Sequence, residues 1–173
     1  MIFRLSQKLN AKIKAGPLSA SPLDENIYAD WSARIFTANR TQYILLSNTS
    51  SLYSVVMVGL GITRNTLFIA RAVDSIRELM SYDGLGESYM NFLVPATASV
   101  RFCKPLNKSV NGSMNELEAT AKHHLRTGKS SLFDVGLMLN GTLLSAIGSA
   151  DTGGYATPRQ AFERLRGRDG RSR

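Results

Sequence analysis

The sequence predicts an α+β fold, a single domain in which a mainly antiparallel sheet is packed by helices. Three observations predict this fold. The chain has 173 residues, which is the usual size of one domain. Three apolar runs between Trp31 and Val58 follow one another across short links that are rich in turn residues. Elsewhere, two longer segments repeat apolar residues every three to four positions, as amphipathic helices do.

The N-terminal segment predicts a strand, a helix and a loop. Ile2–Leu5 is a short apolar run, and Ser6 is a good N-cap for a helix that continues through Lys14. Residues 15–26 contain two prolines, a glycine and two serines, which is typical of a loop.

The next segment predicts three strands. Trp31–Thr37 alternates apolar and polar residues, whereas Tyr43–Ser47 and Leu52–Val58 are nearly continuous apolar runs, as in central strands. The links Ala38–Thr41 and Asn48–Ser51 are short enough for tight turns. An antiparallel meander is therefore the simplest arrangement.

The middle of the chain predicts two helices and one more strand. Thr63 is the expected N-cap of the clearest helix, which extends to about Met80. A short helix is expected around Glu87–Leu93, before Pro95. Residues 98–104 then predict a strand.

The second long helix is expected to begin at Ser113. Ser113 and Glu116 have the spacing of a capping box, in which each side chain bonds the backbone of the other residue. Gly128 is a good residue to end this helix. The apolar run Phe133–Leu139 fits either a helix or a strand, and the sequence leaves both open.

The C-terminus predicts a last helix and a basic tail. Thr157 as N-cap and Pro158 at the first helical position predict a helix that runs to Arg166. We therefore expect one domain over residues 1–166 and a disordered, basic tail over residues 167–173.

The positive charge of the chain is concentrated at its two ends. The net charge is +8, and six of the residues from 159 to 173 are arginine, against two acidic residues. Arginine suits bidentate contacts to phosphate, and a basic end can bind nucleic acid by releasing counterions. The predicted nucleic-acid contacts are Arg164, Arg166, Arg168, Arg171 and Arg173.

Cysteine content and hydropathy predict a cytoplasmic protein with no membrane partner. The only cysteine, Cys103, lies in an apolar alternating stretch and is expected to be a small buried residue. The longest apolar run, residues 55–62, is interrupted by two glycines and is far shorter than the roughly 20 residues that span a bilayer.

No sequence motif predicts a cofactor or a metal ion. Gly59 and Gly61 precede a helix, but Arg64 stands where a dinucleotide-binding fingerprint needs its third glycine. The two histidines, His123 and His124, are adjacent on a helix, so they point in different directions and have no third ligand at metal spacing.

Catalytic residues cannot be assigned from the sequence either. Ser131, His124 and Asp134 could be combined into a triad on paper, but the chain has no Gly-x-Ser-x-Gly nucleophile elbow. The sequence therefore favours a protein that is not an enzyme.

The order of several short motifs resembles a known family. These motifs are Gln7-Lys8-Leu9, Trp31–Phe36, Asn39-Arg40, Leu45–Asn48, Leu52-Tyr53, Gly59-Leu60, Asn107–Val110, Gly112–Asn115 and Leu139-Asn140. They resemble the bacterial family called domain of unknown function 6933, from Ile2 to about Leu165. The resemblance implies a bacterial, cytoplasmic, stand-alone α+β domain, and it carries with it no activity, cofactor or catalytic residue.

Polar positions within these motifs suggest a candidate ligand site. Asn39, Arg40, Asn48, Ser109 and Asn115 fall at turns and near a helix start. Turn geometry and capping explain most of them. Alternatively, their loops gather at one edge of the sheet and form a polar pocket, in which Arg40 is the best candidate for a ligand contact.

Three functional hypotheses remain open. The first is a non-enzymatic binding protein with nucleic acid as its partner, because of the basic C-terminus. The second is a protein-interaction module of a plasmid, phage or defence system. The third is an enzyme with an anion-binding loop cluster around Arg40.

Overall fold

A computed structural model describes residues 1–165 and contains one five-stranded sheet. The strands are β1 (Ile2–Leu5), β2 (Asp30–Ala38), β3 (Thr41–Asn48), β4 (Ser54–Val58) and β5 (Arg101–Cys103). Their spatial order is β4-β3-β2-β1-β5. The predicted antiparallel meander is confirmed for β2, β3 and β4, whereas β1 runs parallel to both of its neighbours, β2 and β5. The predicted α+β domain is thus confirmed.

Seven α-helical segments occur within residues 1–165. They are α1 (Gln7–Ile13), α2 (Asn65–Tyr82), α3 (Gly86–Ser88), α4 (Val94–Ala96), α5 (Lys108–Arg126), α6 (Leu132–Asn140) and α7 (Pro158–Arg164). A π-helical stretch, Tyr89–Leu93, joins α3 to α4, and this region confirms the short helix that the sequence predicts there.

Helices cover both faces of the sheet, so the fold has three layers. On one face, here called the α1 face, α1, α2 and α7 pack against residues such as Trp31 and Ile44. On the opposite face, here called the α5 face, α5 and α6 pack against Phe36 and Leu45. Side chains of β2 therefore alternate between two cores, as the period of a strand requires.

Two predicted helix starts are wrong. Helix α2 begins at Asn65, and its N-cap is Arg64, one residue after the predicted Thr63, because the Arg64 carbonyl accepts the first helical hydrogen bond, from the Phe68 amide at 3.0 Å. Helix α5 begins at Lys108, five residues before the predicted start, because Asn107 accepts a hydrogen bond from the Val110 amide and is the actual N-cap. Asparagine is as good an N-cap as serine, and one exposed glycine inside a long helix costs only about 1 kcal/mol.

Other local predictions are confirmed. Ser6 caps α1, and Thr157 and Pro158 begin α7. The run Phe133–Leu139, open between helix and strand, lies in helix α6. The predicted end of the last helix at Arg166 and the predicted tail over residues 167–173 lie outside the described residues.

A fully buried ion pair fixes the long loop between α1 and β2 to the sheet. Arg4 in β1 donates two hydrogen bonds of 2.7 Å to the carboxylate of Asp30 at the start of β2. The same guanidinium donates to the carbonyl oxygens of Ser21 and Pro22, at 2.9 and 2.7 Å. These contacts hold the part of the loop around Ser21 and Pro22 against β1 and β2.

Candidate binding groove

Asn39 and Arg40 form the turn between β2 and β3. Both have positive φ, 47° and 63°, as the two central residues of a tight hairpin turn require. The Asn39 side-chain amide donates to the carbonyl oxygen of Leu125 at the end of α5. The Arg40 side chain is exposed and makes no hydrogen bond or ion pair within residues 1–165. Turn geometry accounts for this pair.

Asn48 lies at the opposite end of β3 and is fully buried. Its side-chain oxygen accepts bonds from Ser50 and Ser51, and its amide donates to the carbonyl of Ile27 at 2.9 Å. At the usual rise of a strand, Arg40 and Asn48 stand roughly 25 Å apart. These two predicted ligand residues therefore share no pocket.

The remaining predicted residues are also dispersed. Ser109 lies in the first turn of α5, where its carbonyl accepts from Ser113. Asn115 lies further along α5 and accepts a hydrogen bond from Arg34 of β2. Arg164 is exposed at the end of α7, with its guanidinium bonded to the Gln160 carbonyl. Arg166, Arg168, Arg171 and Arg173 lie outside the described residues.

Ser131 and Asp134, two members of the triad that could be assembled from the sequence, have a structural role. Ser131 and Asp134 form the capping box that begins α6, with the Ser131 hydroxyl donating to the Asp134 carboxylate at 2.7 Å. Hydrogen bonds from the Ser131 side chain and backbone lower the pKa of Asp134. This pair therefore stabilises the start of a helix.

A groove between α1 and α5 is lined by several charged side chains. It exists because β2 has nine residues and β1 has four, so β2 extends past the point where the chain leaves β1 and enters α1. Helix α1 forms one wall on its face of the sheet, and α5 forms the other wall on the opposite face. The floor includes the outer part of β2.

The groove has two lobes of about 900 and 490 Å³ that share Lys8, Ile35 and Glu118. We call it the basic groove. Its lining contains five cationic side chains, contributed by α1, β2, the end of β5 and α5: Lys8, Lys12, Arg34, Lys104 and Lys122.

Only one carboxylate, Glu118, faces these cations among the lining residues. It pairs with Lys122 at 2.6 Å and with Arg34 at 3.3 Å. Lys12 donates to the side-chain oxygen of Gln42, which is neutral. Within residues 1–165, Lys8 and Lys104 have no ion pair, and both are exposed. The groove thus has an excess of positive charge.

The local sequence does not predict this groove. Its cations come from four segments far apart in the chain, and Arg34 lies inside β2, where the alternating pattern indicates only the apolar face. One signal was present: Lys8 and Lys12 are four residues apart, which places them on one side of a short helix.

Residues 1–165 contain neither a candidate metal-binding cluster nor a candidate membrane-spanning helix. No cluster of three or more His, Cys, Asp or Glu side chains in this range could hold a metal ion. No helix in the same range is long and apolar enough to cross a bilayer.

Comparison with known proteins gives one family match. The model of the family described as domain of unknown function DUF6933 matches residues 2–161. The chain belongs to the DUF6933 family. No curated protein and no solved structure matches it.

The extent of the DUF6933 match separates the groove from the C-terminal arginines. All five groove cations, from Lys8 to Lys122, lie inside the matched range 2–161. Arg164 and the arginines that follow it lie beyond the match. The basic groove is therefore part of the DUF6933 domain itself.

Proposed function

We propose that this DUF6933 protein is a non-enzymatic binding protein whose basic groove takes an acidic segment of a partner protein. The observation that carries the proposal is the set of five cations around one recess, with a single carboxylate among them. Such a cluster raises the local concentration of anionic partners and orients them as they approach.

The surface between the cations favours a polypeptide. The larger lobe presents the aliphatic side chains of Leu18, Ile35 and Pro105, and its lining contains no aromatic ring. Single-stranded nucleic acid is usually held by aromatic rings on which its bases stack. Phe36 in the smaller lobe is only 4% exposed, which leaves little ring surface for a base. A peptide with acidic and aliphatic residues matches this lining.

The titratable groups of the groove favour binding over catalysis. Glu118 is engaged by Arg34 and Lys122, so it is already paired with two cations. A general base needs a group that can accept a proton at neutral pH, and no histidine or cysteine is among the lining residues. These features support a docking role.

Nucleic acid is the second candidate partner. Cations stand on both walls of the groove, and the chain carries a net charge of +8 with arginines concentrated beyond residue 158. Phosphates would bind such a surface with a steep dependence on salt. We further propose a bacterial, cytoplasmic protein, in keeping with the single, buried thiol of Cys103.

A titration with both classes of partner tests the proposal. The full chain is titrated by fluorescence anisotropy against a labelled acidic peptide and against single- and double-stranded oligonucleotides, at low and physiological salt. The double variant K8E/K12E reverses the charge of one groove wall, and K108E/K129E, which reverses two exposed lysines outside the groove lining, is the matched control. We expect peptide binding that the double variant weakens at least tenfold and the control leaves within about twofold. Oligonucleotide binding without peptide binding would replace the first candidate by the second.

A further inference from the structure

The edge of β2 that faces the basic groove has no strand beside it. β1 pairs with β2 only over Asp30–Ala33. The Ser6 amide then donates to the Ala33 carbonyl at 3.0 Å, and the chain turns away into α1. Beyond that point, β2 continues to Ala38 with β3 on one side only.

Two residues of this edge direct their backbone groups into the groove. The Ala33 carbonyl points towards β1, and in a strand every second residue points the same way, so Ile35 and Thr37 share this direction. Residues 34, 36 and 38 point towards β3, as the tight hairpin after Ala38 requires. Within residues 1–165, the N–H and C=O groups of Ile35 and Thr37 have no hydrogen-bond partner.

Both residues line the groove. Ile35 lines both lobes of the groove and Thr37 lines the smaller one. Thr37 is exposed and Ile35 is half-buried. The groove floor thus presents two donors and two acceptors at the spacing of a β-ladder.

At each outer edge of the sheet, at least one residue has an outward backbone group that is already hydrogen-bonded. At β4, the side chain of Asn140 accepts from the Ser54 amide at 2.7 Å and donates to the Ser54 carbonyl at 3.0 Å, so it occupies the place of a pairing strand. At β5, the Lys104 amide donates to the carbonyl of Ser19 in the loop alongside. Folded proteins usually cover such edges, because an open edge pairs with other chains.

We infer that the basic groove binds its acidic segment as an added β-strand, placed in line with β1 and hydrogen-bonded to Ile35 and Thr37. This inference rests on the proposed function and specifies how the partner is held. Main-chain bonds supply affinity in this mode, and alternate side chains supply specificity.

The charges of the groove define what such a strand must carry. Side chains of an added strand point alternately to the two faces of the sheet. On the α1 face they meet Lys8 and Lys12, and on the α5 face they meet Arg34 and Lys122. Acidic residues on both faces of the segment are therefore favoured, with aliphatic residues placed over Ile35.

Substitutions at Thr37 test the main-chain bonds. Thr37→Pro removes an amide that points into the groove and takes no part in the β2–β3 ladder, and proline is tolerated at such an edge. Thr37→Ala removes the same side chain and keeps the amide. With a labelled acidic ten-residue peptide, we expect Thr37→Pro to weaken binding about five- to tenfold and Thr37→Ala to change it less than twofold.

Modified peptides test the same bonds with an unchanged protein. In one peptide every odd residue is N-methylated, and in the other every even residue is, so only one of them loses the amides that face β2. We expect one of the two to bind at least tenfold more weakly than the other. Equal binding of both peptides, with normal binding to Thr37→Pro, overturns the added strand while leaving the groove as the binding site. If neither the modified peptides nor the unmodified peptide binds, the proposed function is overturned as well. Binding of oligonucleotide alone would assign the groove to nucleic acid.

Discussion

The buried pair Arg4–Asp30 gives the largest predicted effect on stability. The side chains of both residues are 0% exposed, and the guanidinium makes four hydrogen bonds, two to Asp30 and two to the loop carbonyls of Ser21 and Pro22. Arg4→Ala removes all four and leaves a buried carboxylate without its cation. Breaking a buried pair by removing one partner costs about 3–5 kcal/mol.

That cost is large enough to measure by thermal or chemical denaturation. For a chain of this size, it corresponds to a fall in Tm of about 6–20 °C. Arg101→Ala is the matched control, because Arg101 is exposed on the neighbouring strand β5 and its loss is expected to change the free energy of unfolding by less than about 0.5 kcal/mol.

The effect of Arg4→Ala also reaches the groove. The loop that Arg4 holds contains Leu18, which lines the larger lobe. We therefore expect weaker peptide binding by this variant under conditions where it remains folded. A loss of stability below about 1 kcal/mol would refute the reasoning, since it would mean that the guanidinium contributes no more than an exposed charge.

Two further predictions concern the edge of β4 and the start of α6. Asn140→Ala leaves the buried amide and carbonyl of Ser54 without partners. We expect urea denaturation to show a free energy of unfolding that is lower by about 2–4 kcal/mol. An unchanged denaturation midpoint would contradict a pairing role for Asn140. Ser131→Ala removes the hydroxyl that lowers the pKa of Asp134, so an NMR pH titration is expected to find that pKa closer to its usual value. Because the folded-state pKa of Asp134 is depressed, its stabilisation of the fold is present above the unfolded pKa and is lost as pH falls through the folded pKa. Ser131→Ala is therefore expected to make the free energy of unfolding depend less on pH in this acid range.

Local patterns in the sequence were sufficient for most elements. The meander from β2 to β4 follows from alternating or continuous apolar runs joined by short turns, and α7 follows from Thr157 and Pro158. The start of α5 was wrong because Asn107 and Ser113 are both good N-caps, and the packing that selects between them is not visible in the local sequence.

The groove could not be predicted, because it depends on pairing between distant segments. β1 and β5 are parallel neighbours although about a hundred residues separate them, and only this pairing brings Lys104 close to Lys8. The open edge of β2 likewise depends on where β1 stops. Two polar residues of the predicted ligand site, Asn39 and Asn48, have local roles in turns.

The most direct test of the groove is amide chemical-shift mapping of the full chain as the acidic peptide is added. We expect the largest changes on Ile35 and Thr37 in β2 and on Lys8 and Lys12 in α1, with protection of the two β2 amides from hydrogen exchange. Changes confined to the hairpin at Arg40, or to the arginines beyond residue 161, would contradict it and would assign binding to a surface outside the groove.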